Sequence, residues 1–226
     1  MRVIFNEELK AVADDLDQMA QDVHKAINLA GDALMDSDVE AAQTVIDGDI
    51  EIDALESSII DQCVRLLAKQ NPVATDLRVV VASMRLATTF ERMGDLARHI
   101  AESARRAYPA SPIPAEAQEL FGKMKDFLNM TADRLVNMLM DRDANIAEKV
   151  IVDDDVLDAL HHQTFEFALD ENWKGTRQQI IDIVLLGRFM ERLGDHAVSA
   201  ARRVVYIVSG FDPTKLPQRD EGTDID

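Results

Sequence analysis

The chain repeats itself, and the repeat limits what it can fold into. Phe90-Glu-Arg-Met-Gly-Asp95 recurs as Met190-Glu-Arg-Leu-Gly-Asp195 at an offset of 100. Upstream, Val45-Ile-Asp-Gly-Asp49-Ile-Glu-Ile-Asp53-Ala-Leu55 is echoed by Val150-Ile-Val-Asp-Asp154-Asp-Val-Leu-Asp158-Ala-Leu160 at an offset of 105. Two motifs recurring in the same order indicate a duplicated unit, so both halves must satisfy one folding plan. The difference of five between the offsets falls in the hairpin between the motifs.

That plan is helical. Phe5, Leu9, Val12, Leu16, Met19, Val23, Ala26 and Ala30 alternate steps of four and three, a sustained helical seam. A break follows at Asp36-Ser37-Asp38, where Ser37 and Glu40 have capping-box spacing for a second helix. Its seam is Ala41, Val45, Ile52, Leu55, Ile59, Cys63 and Leu66, and Asn71-Pro72 ends it. A third helix starts near Thr75 and stops before Pro109, with a seam at Val79, Leu86, Phe90, Met93, Ala97 and Ile100. Helices near Ala115–Met140, Asp143–Asp170 and Thr176–Val208 repeat the pattern. The expected fold is all-α, two tandem, pseudo-symmetric three-helix bundles over residues 1–108 and 116–210. A Pro-rich linker over 109–115 joins them, and a polar tail without order occupies 211–226. Apolar residues at 47% supply a core, and aromatics at only 5% suit helix packing better than a sheet. The apolar first turns of the third and sixth helices, Val79-Val-Val81 and Ile180-Ile181, are expected to pack in the core, with burial between the bundles or in a dimer as the alternative.

Chemistry enters with four carboxylate pairs. Asp49/Asp53, Glu91/Asp95, Asp154/Asp158 and Glu191/Asp195 are each four apart, hence one helical turn apart on one face. Like charges so placed cost about 0.3 kcal/mol per pair in an isolated helix. Duplicated four times over, they point to a cation that offsets them. In an antiparallel hairpin, residues equidistant from the turn lie level. Asp49 with Asp95 and Asp53 with Glu91 are centred on Pro72, while Asp154 with Asp195 and Asp158 with Glu191 are centred between Lys174 and Gly175, again in the turn region. At about 100° per residue the carboxylates sit off the apolar seams, towards an outer groove. They turn either towards each other or away together, and the repeated register favours convergence. Gly94 and Gly194 lie inside helices between Glu and Asp, where glycine costs about 1 kcal/mol relative to alanine. They imply crowding beside the site, or a packing notch.

All-oxygen ligation favours Mg, Mn, Ca or Fe, and several carboxylates together suit a multinuclear cluster. His99 and His196 do not recur at equivalent positions and read as surface or outer residues. His161, three beyond Asp158, has the D-x-x-H spacing of di-iron bundles, but its equivalent in the first half is Glu56. Arg92 and Arg192 sit beside the carboxylates and read as surface helix residues rather than phosphate contacts. A carboxylate-bridged di-metal oxidase or hydrolase, and a non-metal helical scaffold with solvated acidic stripes, are the competing readings.

A formal charge of −18 repels nucleic acid and suits cations or a basic partner surface. One cysteine, Cys63, allows no internal disulfide and reads as a buried thiol. No apolar run reaches the roughly 18 residues of a membrane span, since Asp182 interrupts the densest stretch, Ile180–Leu186. The N-terminus lacks a signal-peptide pattern, so a cytoplasmic protein is expected.

The doubled E-R-[ML]-G-D, its D-x-x-x-D partners, and the stretch Cys63-Val-Arg-Leu-Leu-Ala-Lys-Gln-Asn-Pro-Val-Ala-Thr-Asp-Leu-Arg78 together resemble the PhoU family over about residues 6–210. The resemblance implies two tandem three-helix bundles whose surface E/D-x-x-x-D motifs bind metal clusters. The implied ligands are Asp49, Asp53, Glu91 and Asp95, and in the other half Asp154, Asp158, Glu191 and Asp195. Divalent or trivalent ions in a multinuclear arrangement (Fe, Mn, Mg or Zn) are expected there. It also implies a cytoplasmic regulator rather than an enzyme. Such a protein restrains phosphate uptake and the phosphate-starvation response through contacts with a phosphate ABC transporter and a phosphate-sensing histidine kinase. A homodimer is expected, with no nucleic acid partner.

Overall fold

The computed structural model describes residues 2–210, and the tail expected over 211–226 lies outside them. The helices are α1 (Arg2–Asp36), α2 (Val39–Gln70), α3 (Ala74–Ala107), α4 (Gln118–Met140), α5 (Ala144–Leu169) and α6 (Arg177–Ser209), with one 3₁₀ turn at Ala115–Ala117. The described residues contain no strand. Each half packs its three helices on one another, α1–α2–α3 and α4–α5–α6. Most of the expected seam positions are buried, and Leu9, Ala41 and Leu55 pack partly buried against them. Val12, Leu16, Met19, Val23 and Ala30 of α1 meet Val45, Ile52, Ile59 and Leu66 of α2 and Leu86, Phe90 and Met93 of α3 in one core. Cys63 is wholly buried on that stripe, and burial pushes its thiol up to about 11, so it stays protonated and inert.

Three local expectations change. Ser37 does not cap α2. It takes the left-handed conformation that ends α1 (φ 56°), with the Asp38 amide returning to the Ala33 carbonyl at 3.2 Å. The cap is Asp38, whose carboxylate accepts from the Glu40 and Ala41 amides at 3.0 Å. The second half repeats this junction with Arg142 (φ 50°) and Asp143. The buried stripe of α3 begins at Val80 rather than Val79. Ile180 and Ile181 are 38% and 51% exposed, because α6 begins with these positions turned off the core side that Ile183 and Leu186 occupy.

The halves share a core, with α3 packed on α6 and α1 on α4. Contacts fix α3 and α6 as antiparallel, with Gly94 and Gly194 level at the centre. His99 stacks on Phe189, each five residues from its glycine. Arg106 reaches Asp182 at 2.6 Å, each twelve away. Arg78 lies against Gly210, each sixteen away in the opposite direction. The two E-R-[ML]-G-D motifs therefore meet back to back at the pseudo-dyad. Asp182, only 5% exposed, is held by Arg106 and by Gln178 at 2.9 Å. The residue that breaks the apolar run of α6 thus ties the halves together.

Candidate metal centres

The hairpin register places the carboxylates as the spacing requires. Glu56 accepts from the Thr88 hydroxyl at 2.9 Å, and both lie sixteen residues from Pro72. In the first half α2 supplies Asp49 and Asp53, and α3 supplies Glu91 and Asp95. The pairs turn towards each other, close enough that Asp49 feels the charges of Asp53 and Asp95, and Glu91 those of Asp95, Glu56 and Asp53. Gly94 sits beneath this groove, facing Ile52 and Asp49.

An arginine closes the first groove. Arg98 donates from Nε to Asp49 at 2.6 Å, from Nη2 to Asp95 at 2.7 Å and from Nη1 to Glu102 at 2.9 Å. Arg92 adds contacts to Glu91 at 3.3 Å and Asp95 at 3.2 Å. Burial raises the Asp49 carboxyl above its ordinary value, against the pull of Arg98. Burial also raises Glu91. At Asp95 burial is outweighed by the hydrogen bond and charge of Arg98, helped by His99 and Arg92, so its carboxyl lies below the ordinary value.

The second groove is built from Asp154 and Asp158 of α5 with Glu191 and Asp195 of α6, and it is balanced differently. The position of Arg98 is taken by buried Val198, that of Thr88 by Arg188, and that of Glu56 by His161. Arg188 donates to both Glu191 oxygens at 2.6 Å. Among the described residues no side chain hydrogen-bonds or ion-pairs with Asp154. Burial, then the charges of Asp158, Asp195, Asp155 and Glu191, push its carboxyl up to about 6. Burial and then Asp195 raise Glu191, against Arg188. A Cβ at Gly194 would stand 2.9 Å from the Asp154 carboxylate, so glycine is what lets that carboxylate lie flat on α6.

The histidines separate in role. His99 packs against Phe189 across the halves at 5.2 Å. His196 lies between Arg192 and Arg92, and burial followed by Arg192 lowers its pKa. His161, with its ring on Phe165 at 4.9 Å, has a buried Nε2 without a hydrogen-bond partner and lies in the field of Asp158 and Asp195.

As they stand, no three His, Cys, Asp or Glu side chains among the described residues are gathered tightly enough to hold one metal ion. The donor set nevertheless suits a hard cation. It is wholly carboxylate, Glu91 Oε2 is buried without a hydrogen bond, and Asp154 stands among like charges with no hydrogen bond or ion pair of its own among the described residues. Sequence reasoning overlooked Arg98 and Arg188. Their signal was in the repeat, since aligning the halves sets Arg98 against Val198 and Arg188 against Thr88.

Comparison with known proteins follows the same lines. The family profile described as the PhoU domain matches residues 16–104 and 121–204. A phosphate-specific transport system accessory protein PhoU homolog 1 from Mycobacterium tuberculosis is 34% identical over 215 residues, covering 95% of this chain and 97% of that one. A PhoU homolog 1 from Methanothermobacter thermautotrophicus is 30% identical over 214 residues, covering 94% and 97%. The crystal structure of PhoU from Pseudomonas aeruginosa superposes with a TM-score of 0.81 at 27% identity, covering 92% of this chain and all of that one.

Proposed function

The chain belongs to the PhoU family, and from that premise we propose that it is a metal-binding cytoplasmic accessory protein that restrains phosphate uptake and phosphate-starvation signalling. Residues 1–108 and 116–210 are its two repeats, with 109–115 as linker. It acts by contact, as a homodimer, with a phosphate ABC transporter and a phosphate-sensing histidine kinase, and catalyses nothing itself. The family domain, present twice across the chain, carries this reading. It is supported by the acidic surface, which suits a basic partner, and by the lack of a membrane-crossing helix among the described residues.

In the second half Asp154, Asp158, Glu191 and Asp195 would hold the metal, and in the first half Asp49, Asp53, Glu91 and Asp95. A bound cation would supply positive charge there, offsetting the carboxylates that α5 and α6, or α2 and α3, bring together. Unpaired Asp154 is the observation that supports this most strongly.

The test is capture of partners from cells together with phosphate uptake. A deletion strain is expected to take up phosphate faster than its parent, and the wild-type chain to restore restraint and co-purify with transporter subunits. Unchanged uptake on deletion, with no transporter recovered, would remove the regulatory reading.

A further inference from the structure

We propose that a second ligand site, for a phosphate-class oxyanion, lies on α6 beside the second carboxylate groove. Its donors are Arg188, Arg192, His196, Ser199 and Arg202. They recur at steps of four, four, three and three, which puts them in one stripe on one face of the helix. The stripe lines a depression of about 430 Å³, which Asp154, Asp195 and Val198 also line. This goes beyond the metal reading, because the donors are cations and neutral N–H or O–H groups rather than carboxylates.

Three features separate this stripe from an ordinary solvated face. First, it is confined to one half. The equivalent first-half positions are Thr88, Arg92, Leu96, His99 and Glu102, of which only Arg92 is an arginine. Second, no hydrogen bond or ion pair holds Arg192 or Arg202 among the described residues, while Arg188 is anchored by Glu191. Arg98 and Arg106, by contrast, are each consumed by carboxylates. Third, Arg92 of α3 adds its charge next to His196 from across the pseudo-dyad. In a chain of net charge −18, this concentrates cations in one concave place.

The donor chemistry sets the ligand class. Guanidinium forks match the paired oxygens of a phosphate, and a serine hydroxyl with an imidazole N–H adds neutral donors beside them. The depression is roomier than one phosphate requires, so it admits free phosphate or a phosphomonoester. Asp154 and Asp195 repel an anion approaching them, so positive charge at the groove would strengthen binding, though the arginines do not depend on it.

Isothermal titration of the full chain with inorganic phosphate and separately with AMP, in chelator and again with magnesium, tests this. Saturable binding of one ligand per chain is expected in at least one condition. R192Q/R202Q should weaken it about tenfold or more, the effect of losing charge-assisted hydrogen bonds. R192K/R202K, which keeps the charge and removes the fork, should fall between. R105Q, in the first half, should leave binding unchanged. Binding of phosphate identifies the free anion, and binding of AMP alone identifies the ester. Metal content should be the same in R192Q/R202Q as in wild type, so loss of anion binding is distinguishable from loss of metal. No saturable binding of either ligand in either condition, or equal binding by wild type and both double variants, would overturn the proposal.

Discussion

Around Asp49 the first half gathers Arg98, which also spans Asp95 and Glu102. Around Asp154 the second half gathers carboxylates, and Val198 stands where the arginine would be. The same four acids on the same hairpin register thus end in two electrostatic states, one latched by an internal cation and one open. Duplication preserved the costly part of each groove, the clustered acids, and let the compensating cation differ. A groove whose two helices are already bridged by a cation has less to gain from an external ion than one whose arginine, Arg188, holds only Glu191. The second half is therefore the tighter metal site in the reading proposed above.

The largest expected effect comes from moving the latch. Arg98→Val should raise first-groove metal affinity by about thirtyfold, the equivalent of about 2 kcal/mol of charge-assisted hydrogen bonding. The same variant should melt at a lower temperature in chelator, because Asp49 loses its partner and Asp95 keeps only Arg92, and recover when metal is added. Titration with manganese followed by calorimetry checks both. Unchanged affinity would mean that Arg98 and metal do not compete, and the contrast between the halves would lose its mechanism.

A smaller difference is expected at the paired glycines. At Gly194 a new Cβ would meet Leu157 at 2.5 Å and Asp154 at 2.9 Å, whereas at Gly94 the nearest atoms are those of Ile52 at 3.1 and 3.2 Å. Gly194→Ala should destabilise by about 1–2 kcal/mol, overpacking outweighing the gain in helix propensity. Gly94→Ala should cost less, because the Ile52 methyls at 3.1 and 3.2 Å need give way by only a few tenths of an ångström, a strain roughly offset by the gain in helix propensity. Denaturant midpoints of the two variants measure this, and equal effects would contradict the closer approach in the second half.

The smallest effect is a pH dependence that is strongest in the open groove. Asp154, raised to about 6 in the folded chain, binds its proton more tightly there than when unfolded. Its contribution to stability is full below the ordinary aspartate value and is lost as pH rises through about 6. Asp154→Asn should therefore stabilise the metal-free chain by about 1 kcal/mol at pH 7, after allowance for solvent screening. The advantage should fade between pH 6 and pH 4. An advantage that persists at pH 4 would place the cause in packing rather than charge.

Much of this was legible in the letters. Equidistance from Pro72 correctly set Asp49 opposite Asp95, because a tight turn between two long helices leaves little freedom of register. The buried seams were readable for a similar reason, since a stripe with period 3.6 has one side to bury. Arg98 was harder to see, because an arginine three residues after an aspartate looks like a routine surface pair. Only its reach across the groove to Asp49, a tertiary contact, makes it a latch. Ser37 misled because serine and aspartate both cap helices, and the left-handed end of α1 moved the cap one residue on. The α3–α6 pairing had no local signal either, since it depends on how the halves dock, and docking also decided that Ile180 and Ile181 stay exposed.

The most direct test of the two-state contrast is elemental analysis of chain purified without chelator. Wild type would be compared with Glu91→Ala/Asp95→Ala and Glu191→Ala/Asp195→Ala. Stoichiometric metal in the wild type, largely retained by the first-half variant and largely lost by the second-half variant, is the expected result. Equal loss from both variants would contradict the latch, and wild type that stays metal-free after reconstitution would contradict metal binding by either groove.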